Sequence, residues 1–334
     1  MRAEAKRFRP LSMAGPPRAM PIAEYFFNHM YTFFGLTWSA SSCTMGEKAR
    51  GATALYKILR KERLNDTTTL MEIHAPHVAN KALPGQFIIF RIDEAGERVP
   101  LTIADANRET GGVTIIFQKV GATTRLLDAL EVGDSLLDFV GPLGKPTQTE
   151  GIQRAAVLGG GLGVAIAYPQ AKALHDMGAE VDLIVGFRTE GLIILKEEFD
   201  KACTNLFVMT DDGSNGHKGF VTQALETQLK AGVKYDAVIA IGPLMMMKAV
   251  SEMTRPYGIK TIVSMNSIMI DGTGMCGGCR VVVGGQTKFA CVDGPDFDGH
   301  LVDFDSALTR GRMFMEEERA ATEHHACRLM GGTR

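Results

Sequence analysis

Ala155-Ala156-Val157-Leu158-Gly159-Gly160-Gly161-Leu162-Gly163 is the stretch on which the fold turns. Four apolar residues run straight into a glycine string. Residues 164–177 can then form a helix, ended by Gly178 where a left-handed residue is wanted. A strand passing through glycines into a helix leaves bare N–H groups and a helix N-terminus at the turn, which suits a pyrophosphate. Gly159, Gly160, Gly161 and Gly163 are the candidate contacts. Val164 and Ile166 stand where a third glycine of the full G-x-G-x-x-G pattern could fall, so a plain strand-to-helix turn is the competing reading.

The alternation continues downstream. Val181–Val185, Leu206–Met209, Ala237–Ile241 and Thr261–Met265 read as strands, and Leu195–Ala202, Val221–Lys230 and Met245–Thr254 as helices. Regular alternation of this kind implies an α/β domain with a doubly wound parallel sheet. Gly242-Pro243 follows one strand at the carboxyl edge of that sheet, where open α/β sheets bind ligands. Gly186-Phe187-Arg188 ends the second strand in place of an acidic residue, which leaves NAD and NADP both open. Upstream the texture is β. Thr67–Ile73, Gln86–Arg91, Val113–Phe117 and Ser135–Val140 are short runs separated by turn clusters, which suggests a small antiparallel β-barrel.

The segments are therefore an extension over 1–50, a barrel over 51–150, an α/β domain over 151–265, a glycine- and cysteine-rich segment over 266–305 and a charged, helical tail over 306–334. The extension begins basic and turns aromatic, as in an organelle transit peptide; a disordered leader or an upstream start codon are the alternatives. The 334 residues are enough chain to bury a core without staples. With 36 basic and 38 acidic side chains there is no basic stripe for nucleic acid. No run of about 18 apolar residues marks a membrane span. A cytoplasmic protein is expected.

Of the six cysteines, Cys276, Cys279 and Cys291 lie within 16 consecutive positions. A tight trio points to metal or cluster ligation rather than to disulfides. Iron–sulfur clusters of plant type use C-x4-C-x2-C with a distant fourth ligand. Cys276 and Cys279 supply the inner pair and Cys291 the distant ligand, while Asp271 occupies the first position. A carboxylate ligates iron, so Asp271 is the candidate fourth ligand; its other role is to cap the turn through its own backbone. Zinc and plain structural cysteines are the rivals, although no His spacing matches a common zinc site.

A barrel followed by a nucleotide-binding domain resembles the ferredoxin–NADP reductase superfamily. On that resemblance, Arg98-Val99-Pro100-Leu101-Thr102 is the flavin strand: Arg98 meets phosphate and Thr102 the ring edge, with Pro100 and Leu101 between them. Gly121-Ala122-Thr123-Thr124, before a helical stretch, offers N–H and hydroxyl donors to a second phosphate. The terminal [2Fe–2S] loop narrows the resemblance, over residues 55–310, to one group. It contains the electron-transfer subunit of dihydroorotate dehydrogenase and the small subunit of NADH-dependent reduced ferredoxin:NADP oxidoreductase, also described as sulfide dehydrogenase. Aspartate in place of the first cysteine is similar to the second of these. The resemblance implies FAD, a [2Fe–2S] cluster and NAD(H) or NADP(H) as cofactors. It also implies a large flavin and [4Fe–4S] partner subunit, like the glutamate synthase small chain, with ferredoxin, and an electron path from nucleotide through flavin to cluster. A subunit serving dihydroorotate oxidation, a standalone flavin reductase and a non-catalytic redox sensor are the alternatives.

Overall fold

The computed structural model describes residues 56–320. The extension over 1–50, the end of the tail and Cys43 and Cys327 lie outside the described residues. Seven antiparallel strands come first: β1 (Tyr56–Arg63), β2 (Thr68–His74), β3 (Phe87–Arg91), β4 (Val99–Asn107), β5 (Gly112–Gln118), β6 (Ser135–Leu136) and β7 (Asp138–Leu143). Their spatial order is β6-β1-β2-β5-β4-β3-β7. The two ends of this order, β6 and β7, are separated in sequence by Leu137 alone, so the sheet curls nearly shut into a barrel. The run Ser135–Val140, read as one strand, thus bends at Leu137, whose N–H bonds the carbonyls of Arg91 and Ile92. Short helices α1 (Pro76–Ala79) and α2 (Ala122–Ala129) lie between strands.

Side chains alternate across a strand, and both faces of β3 are apolar for that reason. Ile88 and Phe90 enter the barrel core with Met71, Ile73, Val113, Ile115 and Phe117. Phe87 and Ile89 point the other way and pack with the downstream domain. Fully burying a side chain such as Ile89 stabilises by about 1.5–3 kcal/mol.

That domain holds β8 (Arg154–Gly160), α3 (Gly163–Asp176), β9 (Glu180–Phe187), α4 (Lys196–Lys201), β10 (Asn205–Thr210), α5 (Val221–Lys230), β11 (Ala237–Ile241), α6 (Leu244–Thr254) and β12 (Lys260–Ser264). Its five parallel strands lie in the order β10-β9-β8-β11-β12. All five residues of β11 are buried, as expected of a strand covered on both faces. The last strand, β15 (Asp296–Asp298), pairs antiparallel with β12. Between β12 and β15 the chain makes a hairpin of β13 (Arg280–Val283) and β14 (Gln286–Phe289), and α7 (Phe304–Arg310) follows β15. The glycine- and cysteine-rich segment is thereby anchored in the parallel sheet by its own strand.

Candidate functional site

The nucleotide crevice follows from topology. From β8 the chain moves outward through β9 to β10, whereas β11 leads the opposite way to β12. The order reverses between β8 and β11, and a crevice opens beyond their carboxyl ends. Gly159–Gly163 leaves β8 there and Gly242-Pro243 leaves β11. The two loops touch: a Cβ on Gly160 would lie 3.2 Å from Pro243 Cδ, and one on Gly163 only 2.4 Å from the Ile241 carbonyl oxygen. Gly163 therefore performs the close helix–strand packing for which the sequence offered no third glycine. Gly161 has φ +58° and open space where a Cβ would point. The first turn of α3 carries no side-chain cap; the Val164 and Ala165 N–H groups bond the Gly161 and Leu162 carbonyls, and the helix dipole favours an anion at this end.

In the cluster segment, the hairpin does the gathering. Val283 and Gln286 flank a two-residue Gly284-Gly285 turn in which both residues have positive φ, as a type I′ turn requires. Arg280 then faces Phe289, and the flanking cysteines close on each other. Cys279 Sγ and Cys291 Sγ lie 3.2 Å apart and buried. The Ala290 N–H bonds the Cys279 carbonyl at 3.1 Å. Burial, then the neighbouring Cys279 thiol, pushes the Cys291 pKa up to about 12. Cys276 is exposed, and the Gly278 N–H points at its sulfur from 3.5 Å. Asp271 accepts from the Thr273 N–H at 2.9 Å and from the Cys276 N–H at 2.7 Å. Burial raises its pKa, but those two backbone bonds outweigh it and hold the carboxyl below the ordinary range.

Asp271 thus carries out the turn-capping role as well as standing beside Cys276. Among the described residues no three His, Cys, Asp or Glu side chains already converge as a metal site. The loop pairs Cys279 with Cys291, and Asp271 with Cys276, without drawing the pairs to one point. A tetrahedral metal with sulfur bonds near 2.3 Å, the zinc value, spaces its thiolates by about 3.8 Å. The Cys279–Cys291 pair is within about 0.6 Å of that. Three thiols and one carboxylate, on a loop where Gly272, Gly274 and Gly277 all take positive φ, are a donor set that fits an iron–sulfur cluster.

On the barrel, Arg98 stands exposed before β4 and makes no ion pair among the described residues. Pro100 faces Ile89, Leu101 faces Ile88 and Thr102 faces Phe87 across the β3–β4 pairing. Gly121 caps α2, and a Cβ there would meet nothing within 4 Å. The hydroxyls expected to serve a phosphate are engaged within the chain. Thr123 Oγ1 donates to Glu97 Oε2 at 2.8 Å. Thr124 Oγ1 accepts from the Gly121 and Val120 N–H groups. The remaining donors are the first-turn N–H groups of α2 and the Arg98 guanidinium, a set that fits a diphosphate. The Glu97–Thr123 bond joins the two stretches, which sequence reading treated separately.

One part of the crevice rim escaped sequence reading. Thr210-Asp211-Asp212-Gly213-Ser214-Asn215-Gly216-His217-Lys218 leaves β10 at the same carboxyl edge. Asp212 accepts from the Ser214 N–H, Thr210 Oγ1 donates to Asn215 Oδ1, and Asn215 Nδ2 bonds the Val208 carbonyl. Asp-Gly and Asn-Gly dipeptides just after a strand were the available signal.

Residues 266–303 match the family model described as the iron-sulfur cluster binding domain of dihydroorotate dehydrogenase B. The chain is 44% identical over 273 residues to a Thermotoga maritima dihydroorotate dehydrogenase B (NAD(+)) electron transfer subunit homolog, covering 82% of this chain and 96% of that protein. It is 32% identical over 249 residues to the Geobacillus thermodenitrificans dihydroorotate dehydrogenase B (NAD(+)) electron transfer subunit, covering 72% and 94%. A structure of the NADH-dependent reduced ferredoxin-NADP oxidoreductase superposes with TM-score 0.77 at 43% identity, covering 82% of this chain and 99% of that one. By these similarities the chain belongs to the family of dihydroorotate dehydrogenase B-type electron-transfer subunits, oxidoreductase subunits built on the ferredoxin–NADP reductase fold.

Proposed function

We propose that this chain passes electrons between NAD(H) or NADP(H) and a partner protein by way of FAD and a [2Fe–2S] cluster, as the small subunit of a ferredoxin:NAD(P) oxidoreductase. The observation that carries the reading is how the cluster loop meets the barrel. A Cβ on Gly272 would lie 2.7 Å from Leu143 Cδ1 and 3.0 Å from Ile89 Cδ1. Ile89 is paired with Pro100, two residues from Thr102. The loop that holds the thiols therefore rests on β3, one strand away from the strand that carries the flavin residues.

The roles follow. Gly159, Gly160, Gly161 and Gly163, with Gly242 and Pro243, bind the nucleotide pyrophosphate. Arg98 and the first turn of α2, from Gly121 through Thr124, hold the flavin diphosphate, while Pro100, Leu101 and Thr102 line the ring. Cys279 and Cys291 hold one iron, and Asp271 and Cys276 the other. When bound, the flavin accepts an electron pair with a hydride and releases electrons singly, which links a two-electron nucleotide to a one-electron cluster. No side chain of the chain is required as general acid or base.

Asp271 in place of a first cysteine supports a ferredoxin:NAD(P) complex over one serving dihydroorotate oxidation. The partner is a large flavin and [4Fe–4S] subunit, which transfers electrons onward to ferredoxin. Met275, 83% exposed, and Val292, 41% exposed, border the thiols and give that partner an apolar contact. No described helix is long and apolar enough to cross a membrane, and a cytoplasmic complex is the proposed setting. Segments 51–150, 151–265 and 266–305 are the proposed flavin, nucleotide and cluster domains.

The test is spectroscopic. Reduced protein should give a [2Fe–2S] paramagnetic signal with matching iron content; zinc in its place would sink the reading. Asp271→Cys should keep a cluster with a shifted potential, and an unchanged spectrum and potential would remove Asp271 from the ligand set.

A further inference from the structure

The flavin cradle is built from two distant stretches, and one carboxylate joins them. Glu97 lies 26 residues before Thr123 and accepts its hydroxyl at 2.8 Å. Each stretch is ordered by its own bonds. On the Glu97 side, the Ala95 N–H bonds Asp93 Oδ1 and the Gly96 N–H bonds the Asp93 carbonyl, which sets a turn just before Glu97 and Arg98. On the Thr123 side, Thr124 Oγ1 closes the helix start on the Gly121 N–H at 3.1 Å. Among the described residues no other side-chain bond ties the two stretches together. Thr123 is buried, at 8% exposure, so its hydroxyl needs a partner inside the fold.

The choice of atoms matters. Glu97 takes the hydroxyl of Thr123 and leaves the backbone N–H groups of Ala122, Thr123 and Thr124 without partners among the described residues. A carboxylate seated as a stand-in for phosphate would bond those amides directly, since they are the strongest donors at a helix N-terminus. Holding the hydroxyl instead fixes the Thr123 rotamer and sets the distance from the first turn of α2 to Arg98. The diphosphate then meets donors already in place, and preorganisation of that kind raises affinity.

We propose that Glu97 is a positioning residue for the flavin diphosphate, acting through Thr123 to align the first turn of α2 with Arg98. This rests on the flavin reading above. Its signature is selective: the diphosphate end of FAD is affected and the ring end is not. It also concerns the acceptor oxygen and not the charge, because a negative charge near a diphosphate is unfavourable in itself.

The experiment uses full-length protein, stripped of flavin and titrated with FAD and, separately, with riboflavin, which has no phosphate. Loss of one buried hydrogen bond corresponds to up to roughly tenfold in affinity. Glu97→Ala and Thr123→Val should each weaken FAD about tenfold, leave riboflavin affinity and the [2Fe–2S] spectrum unchanged, and show no further loss when combined. Glu97→Gln keeps an acceptor oxygen and should restore FAD affinity to wild-type or better. Thr123→Ser, which keeps the hydroxyl, should match wild-type and guards against misfolding of the valine variant. The proposal is overturned if Glu97→Ala binds FAD as well as or better than wild-type, if the two substitutions add, or if riboflavin weakens in parallel. Failure of the wild-type protein to bind FAD at all would remove the flavin reading itself.

Discussion

Gly163→Ala adds one methyl group at the point where nucleotide helix and central strand meet. The added Cβ would lie 2.4 Å from the Ile241 carbonyl oxygen, 2.8 Å from the Ile241 carbonyl carbon and 2.9 Å from Gly242 Cα. All three are backbone atoms, so no side-chain rotation relieves the contact. Ordinary packing begins near 3.4 Å, and α3 must therefore move about 1 Å away from β11. Overpacking of this kind costs about 1–3 kcal/mol, offset in part by about 1 kcal/mol from the better helix propensity of alanine. The net loss of up to about 2 kcal/mol lowers the melting temperature by up to roughly 8 °C in a domain of this size. The larger effect is on nucleotide. Donors that sit near 2.9 Å from a phosphate oxygen move past the useful limit when displaced by 1 Å. Losing one such bond costs about 1.5–3 kcal/mol, or roughly tenfold to a hundredfold in NADH affinity. Thermal unfolding and NADH titration read the two effects. Gly191→Ala is the control, because a Cβ there meets nothing within 4 Å. If Gly163→Ala melts and binds NADH like the control, the close-approach argument is wrong.

Two further outcomes are expected. Asp296 is half-buried on β15, where Thr147 Oγ1 donates to its Oδ2 while the shielded Oδ1 has no partner; desolvation pushes its pKa up from the usual 3.8 to about 6, against the lowering effect of the Thr147 and Ser264 bonds. A raised carboxyl stabilises the fold fully below its unfolded pKa and loses that contribution as pH rises through the folded value, so stability should fall by about 3 kcal/mol between roughly pH 4 and pH 6. Melting curves of Asp296→Asn should be flat across that window; an unchanged slope would remove Asp296 as its source. Met275→Asp should cut partner-dependent electron transfer roughly tenfold while NADH-driven dye reduction stays at wild-type rate; equal loss in both assays would place the residue in the redox site itself.

Sequence reading succeeded where periodicity and context agreed. Val221–Lys230 and Ala237–Ile241 have the bounds that their patterns predict, because an amphipathic helix and a doubly buried strand each leave an unambiguous trace. The thiol trio stands out by its spacing alone, and the hairpin brings Cys279 and Cys291 together. Other elements carried weaker traces. In β1, Tyr-Lys-Ile-Leu-Arg-Lys-Glu-Arg buries Ile58 and little else, so charge masks the strand. Pro100 argues against a central strand, yet β4 pairs only with β3 until Ile103, where the pairing with β5 begins. An unpaired flank is where a residue without an N–H is tolerated. Glu97 gave no signal at all, since its partner Thr123 is brought to it by the barrel and not by the local chain. The competing partner of the Thr123 hydroxyl is hidden from the sequence for the same reason, whereas Thr124 Oγ1 closes a local cap on N–H groups three and four residues away.

The antiparallel strand β15 has a consequence for synthesis. Chains emerge from the ribosome N-terminus first, and domains begin to fold as they appear. The parallel sheet through β12 is complete by Ser264, yet β12 then presents a bare edge of N–H and C=O groups, with Thr261, Ile262 and Val263 along it. Such an edge invites pairing with another chain. It stays open until residues 296–298 arrive, after every proposed cluster ligand has been made. The cysteine-rich arm is thus also the closing flap of the sheet, and a message cut short between these points yields a product prone to aggregate.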